Sequence, residues 1–191
     1  MAGLWEAMIS IAHEWPMKIW LALVAALCPT FPALADDGAT LERALSRATA
    51  TFEAAFPELE PTEFGVDVAA YRDALTLGRF DSAFWGGTIA VDTAIRDGAT
   101  GSCSRYAAFV RIPPENGVVT LILCPQFFTE GMDALRELTI LHEMVHVVAG
   151  SDECRAMAFA AAVQQAATGA FTPVDAYWDA NGCVGTEFEL P

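Results

Sequence analysis

Lysine is almost missing from this chain: Lys18 stands alone, and every other basic residue is an arginine. Together the basic residues number 10 against 25 acidic ones, a formal net charge of −15. A surface this acidic repels phosphate backbones and anionic headgroups, which excludes nucleic acid and anionic lipid as partners. Long apolar runs are missing as well. The most apolar stretch, Ile19 to Leu27, is too short to span a bilayer, and no later segment is long enough, so no membrane span is expected in the folded product. That stretch has another meaning. Met17 to Ala35 reads MKIWLALVAALCPTFPALA, a basic start, an apolar centre and a small-x-small end at Ala33-Leu34-Ala35. This is the anatomy of a secretory signal peptide, with Met17 as the expected start and cleavage expected after Ala35. Cys28 within it follows Leu27 rather than the small residue that lipid attachment prefers, so it reads as an ordinary leader cysteine. Residues 1–35 are therefore expected to be leader, and residues 36–191 one compact domain.

Close cysteine pairs are also lacking. Without a CxxC, the cysteines beyond the leader (Cys103, Cys124, Cys154 and Cys183) do not suggest a zinc site of their own. An even count behind a signal peptide suggests two disulfides in an oxidising periplasmic or secreted setting. Of the three possible pairings, the order along the chain favours Cys103–Cys124 across a hairpin and Cys154–Cys183 tying the last two segments. Histidine is scarce too. Beyond the leader only His142 and His146 remain, four residues apart.

The pattern of elements is mixed. Thr40 to Phe56 is rich in helix formers behind a capping threonine and is stopped by Pro57. Val66 to Leu77 reads as a second helix ending at Gly78. A strand is expected near Thr88 to Val91, between the Gly86-Gly87 and Asp97-Gly98 turns. Ser104 to Ile112 and Gly117 to Leu123 flank a Pro-Pro-Glu-Asn-Gly turn and read as a hairpin, its second strand apolar enough to be buried on both faces. A long helix should run from about Met132 to Ala149 and end at Gly150, with Ser151 capping a further helix to about Thr168. The class is α+β, a small sheet packed on several helices.

The long helix carries His142-Glu143-Met144-Val145-His146, an H-E-x-x-H sequence. Helical residues i and i+4 share a face, so both imidazoles can reach one ion. Zinc accepts imidazole nitrogen readily, and a zinc ion lowers the pKa of a coordinated water towards neutrality. Glu143, beside the metal, can take that water's proton and later give one to a leaving amine. The bland alternative is an amphipathic helix with incidental histidines, since Leu138, Leu141, Val145, Val148 and Ala149 do form a core stripe. A catalytic zinc has three protein ligands and one open position. No third histidine exists, so the third ligand should be a carboxylate, Glu153 or Asp152, in Gly150-Ser151-Asp152-Glu153. The unused acid would sit favourably at a helix N-terminus.

On these residues the chain resembles the zincin metallopeptidases, over about Val118 to Ala161. Leu123-Cys124-Pro125-Gln126-Phe127-Phe128 and Gly150-Ser151-Asp152-Glu153 are similar to the lead-in and the G-[ST]-x-D element of aspzincins (deuterolysin-like peptidases). Here Glu stands for the usual Asp, and Ala156-Met157 for the usual Tyr-Gly. Glu153-Cys154-Arg155-Ala156, followed by Phe159-Ala160-Ala161, resembles instead the E-x-x-A helix of gluzincins, at a shorter distance from the second histidine than that branch shows. Both comparisons favour Glu153. Asp152 stays open as the runner-up, its spacing being one used for third ligands in some metzincin-like proteins. The resemblance further implies a Tyr, His or Arg that steadies the oxyanion, for which Tyr177, Tyr106 and Arg105 are candidates, and a peptide pairing along a strand edge, with Val118 to Leu123 near the cleft. For each of these three, core or surface packing is the favoured role, and Trp85, Trp178, Phe127 and Phe128 read as core rather than substrate pocket.

The expectation is an exported zinc endopeptidase with one Zn2+ per chain, held by His142, His146 and Glu153, with Glu143 as general base and a peptide or protein as substrate. The rival is an exported binding or scaffold domain that keeps a structural or vestigial zinc site. A closed structural site needs a fourth ligand, and a vestigial one commonly loses its glutamate.

Overall fold

Residues 37–191 are described by the computed structural model; the leader features, from Met17 to the junction after Ala35, lie outside them. The chain is already helical at Asp37, and α1 spans Asp37–Ala55. Thr40 is therefore not a cap but a buried residue inside the helix. A short 3-10 turn, Phe56–Glu58, carries Pro57 in its first turn and ends the run. β1 (Thr62–Glu63) and β2 (Val66–Asp67) form a two-residue antiparallel pair. That pairing delays the second helix. Asp67 accepts a hydrogen bond from the Ala70 N–H at 3.0 Å and caps α2, Val68–Leu75.

Four further strands make the main sheet: β3 (Arg79–Ser82), β4 (Gly87–Ile95), β5 (Ala108–Glu115) and β6 (Val118–Leu123), in the order β3-β4-β6-β5. The β3/β4 and β5/β6 pairs are antiparallel, and β4 and β6 are parallel. The expected hairpin is there with shifted bounds. Gly101–Ser104 forms a 3-10 turn rather than strand, while β5 continues through both prolines to Glu115. Asn116 and Gly117, with φ of 53° and 76°, make the two-residue turn whose twist suits paired strands. β6 is interior to the sheet, and its far half is buried. Leu121 and Leu123 enter the main core, while Ile122 packs on the other side with Cys103 and Cys124. The edge strand beside the helices is thus β5 and not Val118 to Leu123.

Against this sheet lie α2 and α3 (Asp133–Ala149), while α4 (Glu153–Thr168) packs on α1 and α3, and the short α5 (Asp175–Ala180) follows. α3 is central. Its residues Ile140, Leu141, Met144, Val145, Val147 and Val148 all enter the main core, each contributing roughly 1.5–3 kcal/mol on full burial. Tyr71 of α2 stacks between Phe52 and Phe159, at 5.0 and 4.6 Å between ring centroids. Its hydroxyl donates to the Leu141 carbonyl at 2.8 Å, which fixes α3 one residue before His142. The class is α+β, a small mixed sheet on helices. Among the described residues, no helix is long and apolar enough to cross a membrane.

Cys103 is bonded to Cys124, and Cys154 to Cys183. The second bond lies in a separate small cluster with Met157, Ala158, Trp178 and Phe188.

Candidate metal centre

The corner between α3 and α4 builds the site. Gly150, with φ 84° and ψ −167°, stops α3 in a conformation that side chains rarely adopt. Ser151 does not cap the next helix. Asp152 does, its carboxylate accepting the Arg155 N–H at 2.9 Å, and α4 begins one residue later than expected. This settles the directions of two neighbouring acids. Asp152 turns back onto its own helix, while Glu153, in the first turn of α4, faces the histidines.

His142 Nε2 lies 3.1 Å from Glu153 Oε2 and 3.0 Å from His146 Nε2, and His146 Nε2 lies 3.5 Å from the same carboxylate oxygen. His146 Nδ1–H donates to the Gly150 carbonyl at 2.8 Å. That bond fixes the tautomer in which Nε2 offers a lone pair towards His142 and Glu153. Two ring nitrogens and a carboxylate oxygen, all within 4.8 Å of one another, converge on one point. A tetrahedral ion with bonds of about 2.0–2.1 Å holds its ligands about 3.3 Å apart, so the donor set and its spacings fit zinc. The cluster can hold a divalent cation through residues on two helices.

Electrostatics follow from burial. Burial raises the Glu143 carboxyl above the ordinary carboxylate range, against the pull of His142 and His146. Glu153 adds to the rise, and the Val110 backbone of β5 draws it down. For Glu153, burial acts upward but is outweighed by both histidine rings, which hold it well below that range. Burial likewise disfavours charge on His146, but Glu153, Glu143 and the Gly150 carbonyl together raise it. Tyr177 of α5 donates its hydroxyl to Glu153 Oε2 at 3.1 Å, and its ring centre lies 6.1 Å from that of His142. Burial and the Glu153 carboxylate both push the phenol upward, so it stays protonated and remains a donor.

A cleft of about 380 Å³ opens beside these groups. Arg105, Tyr106 and Ala108 form one wall, Leu135, Leu138 and Thr139 of α3 the floor, and Val174 and Tyr177 the other wall, with His142 and Glu143 at the metal end. All three candidate oxyanion residues thus line one cleft, but only Tyr177 touches the metal cluster. Trp178 and Phe127 are core. Trp85 has a role that the sequence did not disclose: its indole N–H donates to the Val147 carbonyl near the end of α3, at 2.7 Å and 62 positions away. No local signal foretells such a contact. Arg155 does the same for the Ala149 carbonyl, at 2.8 Å.

No family model matches the chain, and no match was found among curated proteins or solved structures.

Proposed function

We propose that this protein is an exported zinc endopeptidase of the zincin type. The observation that carries the reading is the convergence of His142, His146 and Glu153 at the end of a cleft that Glu143 also lines. When bound, zinc supplies Lewis acidity, polarising an attacking water and a substrate carbonyl. Glu143 accepts the proton of the attacking water and passes it to the leaving amine. Tyr177 steadies Glu153 through its hydroxyl and stands close enough to His142 to donate to a developing oxyanion. β5 is an edge strand bordering both the cleft and Glu143, so an extended peptide adding to that edge brings a carbonyl to the base. Two disulfides suit an oxidising compartment. Three converging donors with an adjacent glutamate favour catalysis over a structural site, which four protein ligands close.

The test is elemental analysis of oxidised residues 36–191, with peptide hydrolysis followed by mass spectrometry. The expected result is about one zinc per chain. Glu143→Gln should keep the metal and lower hydrolysis by about 10²–10⁴-fold. A folded protein that takes up no zinc, or a Glu143→Gln variant that cleaves as fast as the parent, overturns the reading.

A further inference from the structure

The turn between β3 and β4 reaches the C-terminal end of α3, beside Val147 and Gly150. Its own form is fixed by Ser82, whose hydroxyl accepts the Trp85 N–H at 2.9 Å and whose carbonyl accepts the Gly86 N–H at 3.0 Å. From that base two aromatic side chains extend to the end of α3. The Trp85 indole N–H bonds the Val147 carbonyl, one of the last four of the helix, which have no partner within it. The Phe84 ring lies edge-on to Trp85, with centroids 4.6 Å apart. Phe84 also sits directly on Gly150: a Cβ added there would come within 2.5 Å of its Cζ. Yet Phe84 is 56 % exposed, so its contribution to the core is small. Its contact falls on the residue whose carbonyl orients His146.

We propose that Phe84 and Trp85 are positioning residues of the metal centre, a clasp that holds the Gly150 carbonyl where it keeps His146 in its Nδ1–H tautomer. Glycine is free to rotate where other residues are not, so a bare Gly150 has little of its own to fix its carbonyl. The aromatic ring above it supplies the restraint, and the Trp85 hydrogen bond anchors the clasp to the helix. Arg155 holds the Ala149 carbonyl at 2.8 Å, so the peptide unit that enters Gly150 is held as well.

The tautomer of metal-free protein tests this by nitrogen-15 NMR of the histidine rings, at a pH where they are neutral. Wild-type His146 is expected to be a single Nδ1–H tautomer, and Phe84→Ala a mixture of both. The consequence for metal rests on the metal-site reading: zinc affinity of Phe84→Ala falls about 10–100-fold, as for other groups that orient metal ligands. The absorption bands of the cobalt-loaded variant broaden, and Phe84→Tyr restores both properties. Val184→Ala, which trims a still more exposed apolar residue, changes neither. Should Phe84→Ala fold poorly, Trp85→Phe removes one hydrogen bond and keeps a ring, with the same shifts expected at smaller size. If the tautomer and affinity of the folded variants match the wild type, the clasp is wrong. If the wild type takes up no zinc but its tautomer still depends on Phe84, the clasp stands and the metal reading falls.

Discussion

The two disulfides close loops of similar length, with sequence separations of 21 and 29, yet they hold very different parts of the molecule. Chain entropy assigns each about 3–4 kcal/mol. Cys103–Cys124 lies on the outer face of the sheet, where β5 and β6 are already joined by their hydrogen bonds. Cys154–Cys183 ties down residues 174–190, which otherwise attach through the short α5, a small apolar cluster and the Tyr177–Glu153 hydrogen bond. The first bond adds strength to a geometry that exists without it. The second decides a geometry, since Cys154 follows Glu153 directly and the segment it anchors carries Tyr177. The metal cluster is thus held at the rear by the main core, through α3, and at the front by a local staple.

The largest effect should come from the rear. His146→Ala removes one of the three converging donors and leaves the Gly150 carbonyl without its hydrogen bond. Zinc uptake should be abolished and the melting temperature lowered, read by elemental analysis and calorimetry. Stoichiometric zinc in this variant would mean that the front alone holds the ion. Next comes the staple. Replacing Cys154 and Cys183 together by serine should cost about 3–4 kcal/mol and remove most hydrolysis, because the Val174–Tyr177 wall of the cleft loses its anchor. Replacing Cys103 and Cys124 should cost about as much stability, yet leave turnover per folded molecule nearly intact. Equal loss of turnover from both pairs would erase the distinction between front and rear.

A smaller contrast separates two adjacent acids. Asp152→Ala should cost about 1 kcal/mol, as lost helix caps do, and keep zinc. Glu153→Gln should keep the fold and weaken zinc sharply, measured by competition with a chromogenic chelator. The smallest effect concerns the fixing of α3 by Tyr71. Burial raises its hydroxyl well above the usual 10. The folded protein therefore keeps a proton that the unfolded chain releases, so this contribution is full below pH 10 and is lost as pH climbs through the raised value. Tyr71→Phe should cost about 1 kcal/mol at neutral pH and flatten the alkaline limb of the stability curve, followed by chemical denaturation.

What could be read from the sequence was whatever depends on spacing along one element. The pairing of His142 with His146 follows from helical pitch, and the end of α3 from Gly150. The two-residue hairpin turn follows from Asn116-Gly117, although the prolines before it concealed how far β5 extends. The choice between Asp152 and Glu153 was out of reach by spacing, because both stand at the same corner. It depends on which residue is the last extended one, a matter of a single backbone position. β3 is four residues long and gave no period to detect. That β5 rather than β6 forms the edge depends on the parallel pairing of β4 with β6, which no local pattern encodes. The contact of Trp85 with Val147 likewise exists only in the assembled fold.

That parallel pairing has a consequence for the order of folding. β3–β4 and β5–β6 are hairpins of neighbouring strands, and each forms by closing a short loop. The seam between β4 and β6 joins residues such as Ala90 and Val118, and it must wait for a far longer closure. The clasp behind the metal cluster belongs to the first hairpin and the cleft wall to the second. With both hairpins made and the seam open, β3–β4 and β5–β6 are not yet one sheet. On the proposed zinc-site reading, the rate at which a refolding chain reaches its final zinc affinity should follow the closing of that seam.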